Sequence, residues 1–161
     1  MNLYKSKDPV RAFLASVAEA RLEAKRLSLR AQRLEAQATK ITATLTGMPS
    51  GSTDSGNLLA ALADMKASCD IARVQAERQV EKVSAFIDKL ENPTSRMILK
   101  LRYCDCLEWL ARPHRRTVQG EMEKVGLYYS SQHIYRMHGR ALNEARELYK
   151  KERENEQNGN P

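Results

Sequence analysis

Two long apolar repeats, separated by one run of turn-forming residues, constrain this chain more than any other feature. The first places Val10, Phe13, Val17, Ala20, Ala24, Leu27, Ala31, Leu34, Ala38, Ile41 and Leu45 at alternating spacings of three and four, with neither Pro nor Gly between them. Such spacing puts every one of them on a single helix face. Asp8 supplies an N-cap and Pro9 suits the first helical position. The resulting helix would be roughly 54 Å long at the standard rise per residue. Residues Thr46 to Asn57 then read T-G-M-P-S-G-S-T-D-S-G-N, a composition that interrupts a helix and defines a loop over 46–57. A second repeat follows through Leu58, Leu62, Met65, Cys69, Ala72, Ala76, Gln79, Val83, Phe86 and Leu90, and Asn92-Pro93 ends it. If the chain folds back about the loop, Ile41 falls beside Leu62, Ala31 beside Ala72, Ala20 beside Val83 and Phe13 beside Leu90. The repeats therefore predict a long antiparallel helical hairpin spanning residues 1–91, with Cys69 packed in its seam. Two helices bury little by themselves, so the hairpin needs a second covered face. The C-terminal domain or a second copy would supply it; two hairpins closing into a four-helix bundle make a homodimer the favoured oligomer and the hairpin an oligomerisation or partner arm.

No sustained alternation of β-branched residues appears, and nine aromatic residues in 161 suit helices better than a sheet, so the predicted class is all-α. Residues 92–151 read as a separate helical domain. Asn92-Pro93 caps a helix from Thr94 to about Asp105, with Met97, Ile98, Leu101 and Tyr103 or Cys104 inward. Leu107–Ala111 read as one or two further turns, and Trp109 as core. A short helix opens at Thr117, buries Val118, Met122 and Val125, and stops at Gly126. Leu127, Tyr128 and Tyr129 make a turn in which one tyrosine plugs the core. Ser130 then caps a longer helix whose inner face is Ile134, Met137, Ala141, Leu142, Ala145 and Leu148. Its outer face carries Gln132, His133, Tyr135, Arg136, His138, Gly139, Arg140 and Asn143. Residues 152–161 form a polar tail expected to fray.

Helix, Gly turn, then a longer helix with exposed cations is the layout of a helix-turn-helix, whose second helix enters the DNA major groove. Charge agrees. The chain carries 27 Lys and Arg against 20 Asp and Glu, and 12 of those cations against 6 of the anions lie between Thr94 and Lys151. The candidate DNA-binding residues are Ser130, Ser131, Gln132, His133, Tyr135, Arg136 and Arg140 on the second helix. Arg136 and Arg140 share one face and suit guanine edges or phosphates. Arg115 and Arg116, beside Arg112 before the first helix, suit phosphates. No carboxylate pair, nucleophile with a base, or Gly-rich phosphate loop suggests an enzyme. Cys104, Cys106 and His114 fall short of a zinc ligand set, so neither a metal nor a cofactor is expected. Three cysteines argue against a disulfide framework, and no apolar run reaches membrane-spanning length, which points to a reducing cytoplasm and away from a membrane.

One further signal is a resemblance. The order L-x-N-P-x-x-R-x-I-L-x-L-R-Y, a Trp, a T-x-x-x-x-M helix and then Y-S-S-Q-H-I-Y-R-M-H-G-R-A-L resembles sigma-70 region 4-type domains. More narrowly, it is similar to phage transcriptional regulators of the ArpU/RinA type. The likeness covers the C-terminal 70 residues well and the hairpin loosely. It implies site-specific binding of double-stranded DNA that controls transcription in the cytoplasm of a bacterial host cell, with Ser130 to Arg140 opening the recognition helix and host RNA polymerase as a candidate partner. The chain departs from the pattern at Met122, where a small residue is common, and in the inserted Arg112–Arg116. Two other readings compete: a DNA-packaging protein like a small terminase subunit, and a helical protein-interaction adaptor that binds no DNA.

Overall fold

Each helix of this chain begins or ends where a particular side chain takes up backbone groups that the helix itself leaves open. The computed structural model describes residues 8–44, 53–109 and 115–158, and every regular element among them is helical. In chain order these are α1 (Pro9–Thr44), α2 (Thr53–Asp88), α3 (Pro93–Leu99), a π-helical turn (Lys100–Cys104), α4 (Val118–Lys124) and α5 (Ser131–Asn158). The fold is all-α, a long antiparallel helical hairpin followed by the smaller helices. Among the described residues, no helix is long and apolar enough to cross a membrane.

Asp8 caps α1 as its sequence position suggests, its Oδ1 accepting from the Val10 N–H at 3.1 Å. Helix α2 starts at Thr53, so Thr53 to Asn57, expected in the loop, are helical. A lone Gly costs a helix only about 1 kcal/mol relative to Ala, and the Leu- and Ala-rich run beginning at Leu58 outweighs that. Residues 46–52 of the expected loop, and Leu110 to His114, lie outside the described residues.

The described chain divides into two units, Glu19–Arg78 and the remainder. Within Glu19–Arg78, α1 and α2 run antiparallel, with Lys66 Nζ 3.0 Å from Glu35 Oε1. Ala31, Leu62, Ala72 and Ala76 are buried there. Ala20, Ala24, Leu27, Leu34, Met65 and Cys69 are half-buried, which is as much cover as one partner helix provides.

In the other unit, the first turns of α1 and the last turns of α2 pack with α3 and α5. The register differs from the expected one. Phe13 meets Phe86 edge-on, ring centroids 5.3 Å apart, one helical turn before Leu90. Both rings also contact Tyr149 of α5, at 5.9 and 6.1 Å. Three rings from three helices select this register, a constraint absent from the two seams considered alone. Leu14 and Ile87, which belong to neither seam, are fully buried in the same cluster with Leu99, Ala141, Leu142 and Ala145. Here the hairpin's second face is covered by the C-terminal helices, so the boundary expected at residue 91 does not separate two cores.

Asn92 caps α3, its Oδ1 accepting from Thr94 N–H at 2.9 Å. Arg96 Nη1 donates to the Leu90 carbonyl at 2.6 Å, taking up an oxygen left open at the end of α2. The helix expected to resume at Leu107 does not. Asp105 N–H bonds back to the Lys100 carbonyl, the wide π pattern, and Cys106 then turns left-handed at φ 57°. Leu107–Trp109 are not helical, and Glu108 bridges Thr117. The expected tail is helical as far as Asn158.

Candidate nucleic-acid interface

A second cluster, buried beneath α4 and the start of α5, sets the geometry of the helix-turn-helix. It consists of Ile98, Leu107, Val118, Met122 and Ile134, with Met97, Leu101, Trp109, Leu127, Tyr129 and Met137 packed at its edge. Met122 is fully buried there.

Helix α4 is seven residues long, so its open N-terminal amides weigh heavily. The preceding segment satisfies them. Val118 N–H donates to the Glu108 carbonyl at 2.8 Å and Gln119 N–H to the Trp109 carbonyl at 3.2 Å. Thr117 Oγ1 accepts from Gly120 N–H at 3.1 Å. The non-helical course of Leu107–Trp109 thus has a physical cause: the Glu108 and Trp109 carbonyls serve as the acceptors on which α4 begins.

The exit from α4 is a Schellman turn. Leu127 N–H reaches the Met122 carbonyl and Gly126 N–H the Glu123 carbonyl, both at 3.0 Å, and Gly126 is left-handed at φ +81°. Leu127 and Met122 share the cluster below. This geometry overturns the inward placement of Val125, which is exposed; the backbone leaves helical phase at that residue (ψ 17°). Of the two tyrosines, Tyr129 is half-buried and packs into the cluster, while Tyr128 faces solvent.

Ser130 Oγ accepts from His133 N–H at 3.3 Å, capping α5. Ile134 and Met137 point into the cluster. Ser131 is half-buried, and Gln132, His133, Tyr135, Arg136, Gly139, Arg140 and Asn143 are exposed. His138 is the exception on the expected outer face. It is buried, its ring 4.5 Å from that of Trp109 and its Nε2 3.2 Å from the Tyr103 hydroxyl. Burial, and then the positive fields of Arg11, Arg102 and Arg146, push its pKa down to about 4. Burial moves the Tyr103 hydroxyl the other way. Tyr103 therefore donates and neutral His138 accepts.

Gln132, Arg136 and Arg140 succeed one another at four-residue spacing and form one outward stripe. Neither guanidinium has a carboxylate partner among the described residues. Aromatic contacts brace the flanks: Tyr135 against Trp109 at 5.4 Å, and Tyr129 stacked on His133 at 4.8 Å. Trp109 is itself covered by the Arg102 guanidinium at 5.0 Å. A pocket of about 160 Å³ opens beside the stripe, lined by Asn92, Thr94, Ser95, Tyr129, His133, Met137 and Arg140. Sequence reading passed over Thr94 and Asn92 as neighbours of this face, because nothing local to them relates α3 to α5.

Arg115 and Arg116 are exposed, as expected, but engaged. Arg115 lies 3.6 Å from Glu108. Arg116 Nε donates to Glu121 Oε1 at 2.9 Å, and Lys124 reaches the same oxygen at 2.9 Å. These hydrogen bonds hold the Glu121 carboxyl below its usual range, and Glu121 in turn raises Arg116. Arg116 is a strap across the start of α4. Among the described residues, no three His, Cys, Asp or Glu side chains converge on a metal-sized site, and Cys69, Cys104 and Cys106 are free thiols.

Comparison with known proteins adds no relative: no family model, no curated protein and no solved structure matches this chain.

Proposed function

We propose that this chain is a sequence-specific double-stranded-DNA-binding regulator of transcription, of phage or prophage origin, like the ArpU/RinA-type proteins its C-terminal sequence resembles. The first turns of α5 enter the major groove. Gln132, Arg136 and Arg140 face the base edges, and Ser130, Ser131, His133 and Tyr135 flank them on the sugar-phosphate backbone. Arg115 and Arg116 add positive charge beside the groove, and host RNA polymerase is the partner through which binding would act on transcription.

The observation that carries this reading is the contrast between the two sides of α5. Its inner side is locked by Ile134 and Met137 on a capped, Schellman-turned α4. Its outer side presents two guanidinium groups with no carboxylate partner among the described residues, and an amide, at groove-reading spacing. A cationic face held rigidly by a core is pre-organised for a polyanion.

Selection of bound duplexes from a random pool, followed by anisotropy titration of the winner, tests it. The full-length chain should enrich a defined sequence and bind it with steep salt dependence. Arg136→Ala/Arg140→Ala should weaken specific binding about tenfold to a hundredfold per guanidinium that contacts a base, from roughly 1–3 kcal/mol each. Absence of binding even at low salt would refute the proposal and leave the helical adaptor reading in its place.

A further inference from the structure

Residues 19–78 leave two apolar stripes uncovered. On α1, Leu22 and Leu29 are 48% and 46% exposed, one heptad apart, with exposed Ala36 a further heptad on. On α2, exposed Ala60, Ala63, Ala67, Ile71 and Val74 follow one another at spacings of three and four, and Ile71 is 60% exposed. At about 100° per residue, Leu22 and Leu29 lie roughly 140–180° around α1 from Ala24 and Ala31 of the seam. Ala67 and Val74 lie roughly 120–180° around α2 from Leu62 and Ala76 by the same arithmetic. Each stripe therefore faces directly away from the other helix, and the two occupy opposite outer faces of this unit.

A contiguous exposed apolar patch rimmed by polar side chains marks an interaction site, whereas single scattered residues do not. Those flanks differ in sign. Lys25, Arg26 and Arg33 border the α1 stripe. Asp64, Asp70 and Glu77 border the α2 stripe, with Arg78 at its end. The local ion pairs among them, Arg26–Glu23 at 3.6 Å and Arg73–Asp70 at 3.7 Å, join side chains more than half exposed, and such pairs hold a side chain only weakly.

We propose that the occupant of these faces is a second copy of this chain, with the α2 outer face of one copy docked on the α1 outer face of the next. Apolar stripe meets apolar stripe, and the basic border meets the acidic one. Pairing like with like would set Lys25, Arg26 and Arg33 against themselves, or Asp64, Asp70 and Glu77 against themselves. Because the two faces point in opposite directions, a docked pair still offers one free face of each kind. The contact is heterologous, so association continues past two chains, into a ring where the rotation per contact closes and an open array where it does not. This displaces the two-fold dimer that the heptad seams first suggested. It is independent of DNA binding, and its test contains no DNA.

The test is sedimentation velocity of the full chain over a concentration series into the tens of micromolar, on wild type, Leu22→Glu/Leu29→Glu, and Ile71→Glu/Val74→Glu. All four positions are exposed, so helicity by circular dichroism should match wild type in both variants. Wild type should form a species larger than two chains. Each variant alone should be a monomer, because it retains only one kind of face. An equimolar mixture of the two should give a heterodimer and nothing larger, the intact α2 face of one docking on the intact α1 face of the other. A monomeric or strictly dimeric wild type overturns the proposal, as does a variant that still assembles alone or a mixture that stays monomeric.

Discussion

Replacing Gly126 with alanine isolates the backbone geometry of the turn between α4 and α5. A Cβ built at Gly126 meets nothing within 4 Å, so sterics add no cost. What remains is the left-handed conformation, φ +81°, which costs an L-residue roughly 1–2 kcal/mol. Alanine also stiffens the unfolded chain, which returns about 0.4–1 kcal/mol. The net expectation is a loss of about 1 kcal/mol, or roughly 2–4 °C in Tm for a chain of this size. Gly139→Ala is the matched control. It too has open space around the added Cβ, but it sits within α5, where Ala is favoured over Gly by about 0.5–1 kcal/mol. The same substitution should thus lower Tm at one position and raise it at the other. Calorimetry of the two full-length variants reads both signs. A Gly126→Ala chain as stable as wild type would refute the Schellman turn, and a destabilised Gly139→Ala would refute a continuous, open helical face there.

Met122→Ala should cost about 2–5 kcal/mol in urea denaturation, because a fully buried side chain in the small cluster under α4 leaves a cavity; a loss under 1 kcal/mol would mean that α4 does not pack there. His138 gives a pH dependence of defined sign. Its pKa falls from 6.5 to about 4 on folding, so the unfolded chain binds the extra proton. Stability should be fully present above pH 6.5 and decline as pH drops toward 4, by on the order of 3 kcal/mol. Denaturation curves of wild type minus His138→Asn should show that slope; parallel curves would place the imidazole in solvent. Asp8→Ala removes both the α1 cap and the 2.7 Å contact to Arg146, and should cost about 1 kcal/mol; unchanged stability would contradict the cap.

Much of the candidate interface was legible because it is local. Ser130 before an apolar-periodic run is a cap whatever surrounds it, and Gly126 after Met122-Glu-Lys-Val stops a helix by its own freedom at positive φ. The outward stripe of Gln132, Arg136 and Arg140 follows from helical period alone. Val125 was misplaced because a periodic extrapolation ran one residue past the point where the backbone leaves helical phase. His138 was misplaced because its spacing from Arg136 and Arg140 says nothing about the Trp109 and Tyr103 rings that enclose it. Cys106 and Leu107 carry no breaker residue, so the end of the π turn was invisible until α4's amides were seen to need the Glu108 and Trp109 carbonyls.

The sequence by itself determined an all-α chain, two long helices meeting along heptad seams, and a capped helix-turn-helix with its cationic side outward. Those properties depend on residues within a few positions of one another, whose spacing and caps act through the backbone of one helix. Only the tertiary structure decided the hairpin register, the burial of Leu14 and Ile87, and the union of the hairpin's first and last turns with α5 in one core. These depend on which surfaces remain apolar after the first pairing is made, and on a three-ring contact among Phe13, Phe86 and Tyr149 that no single segment contains. Packing is resolved by shape across distant segments, and a one-dimensional pattern carries period but not shape.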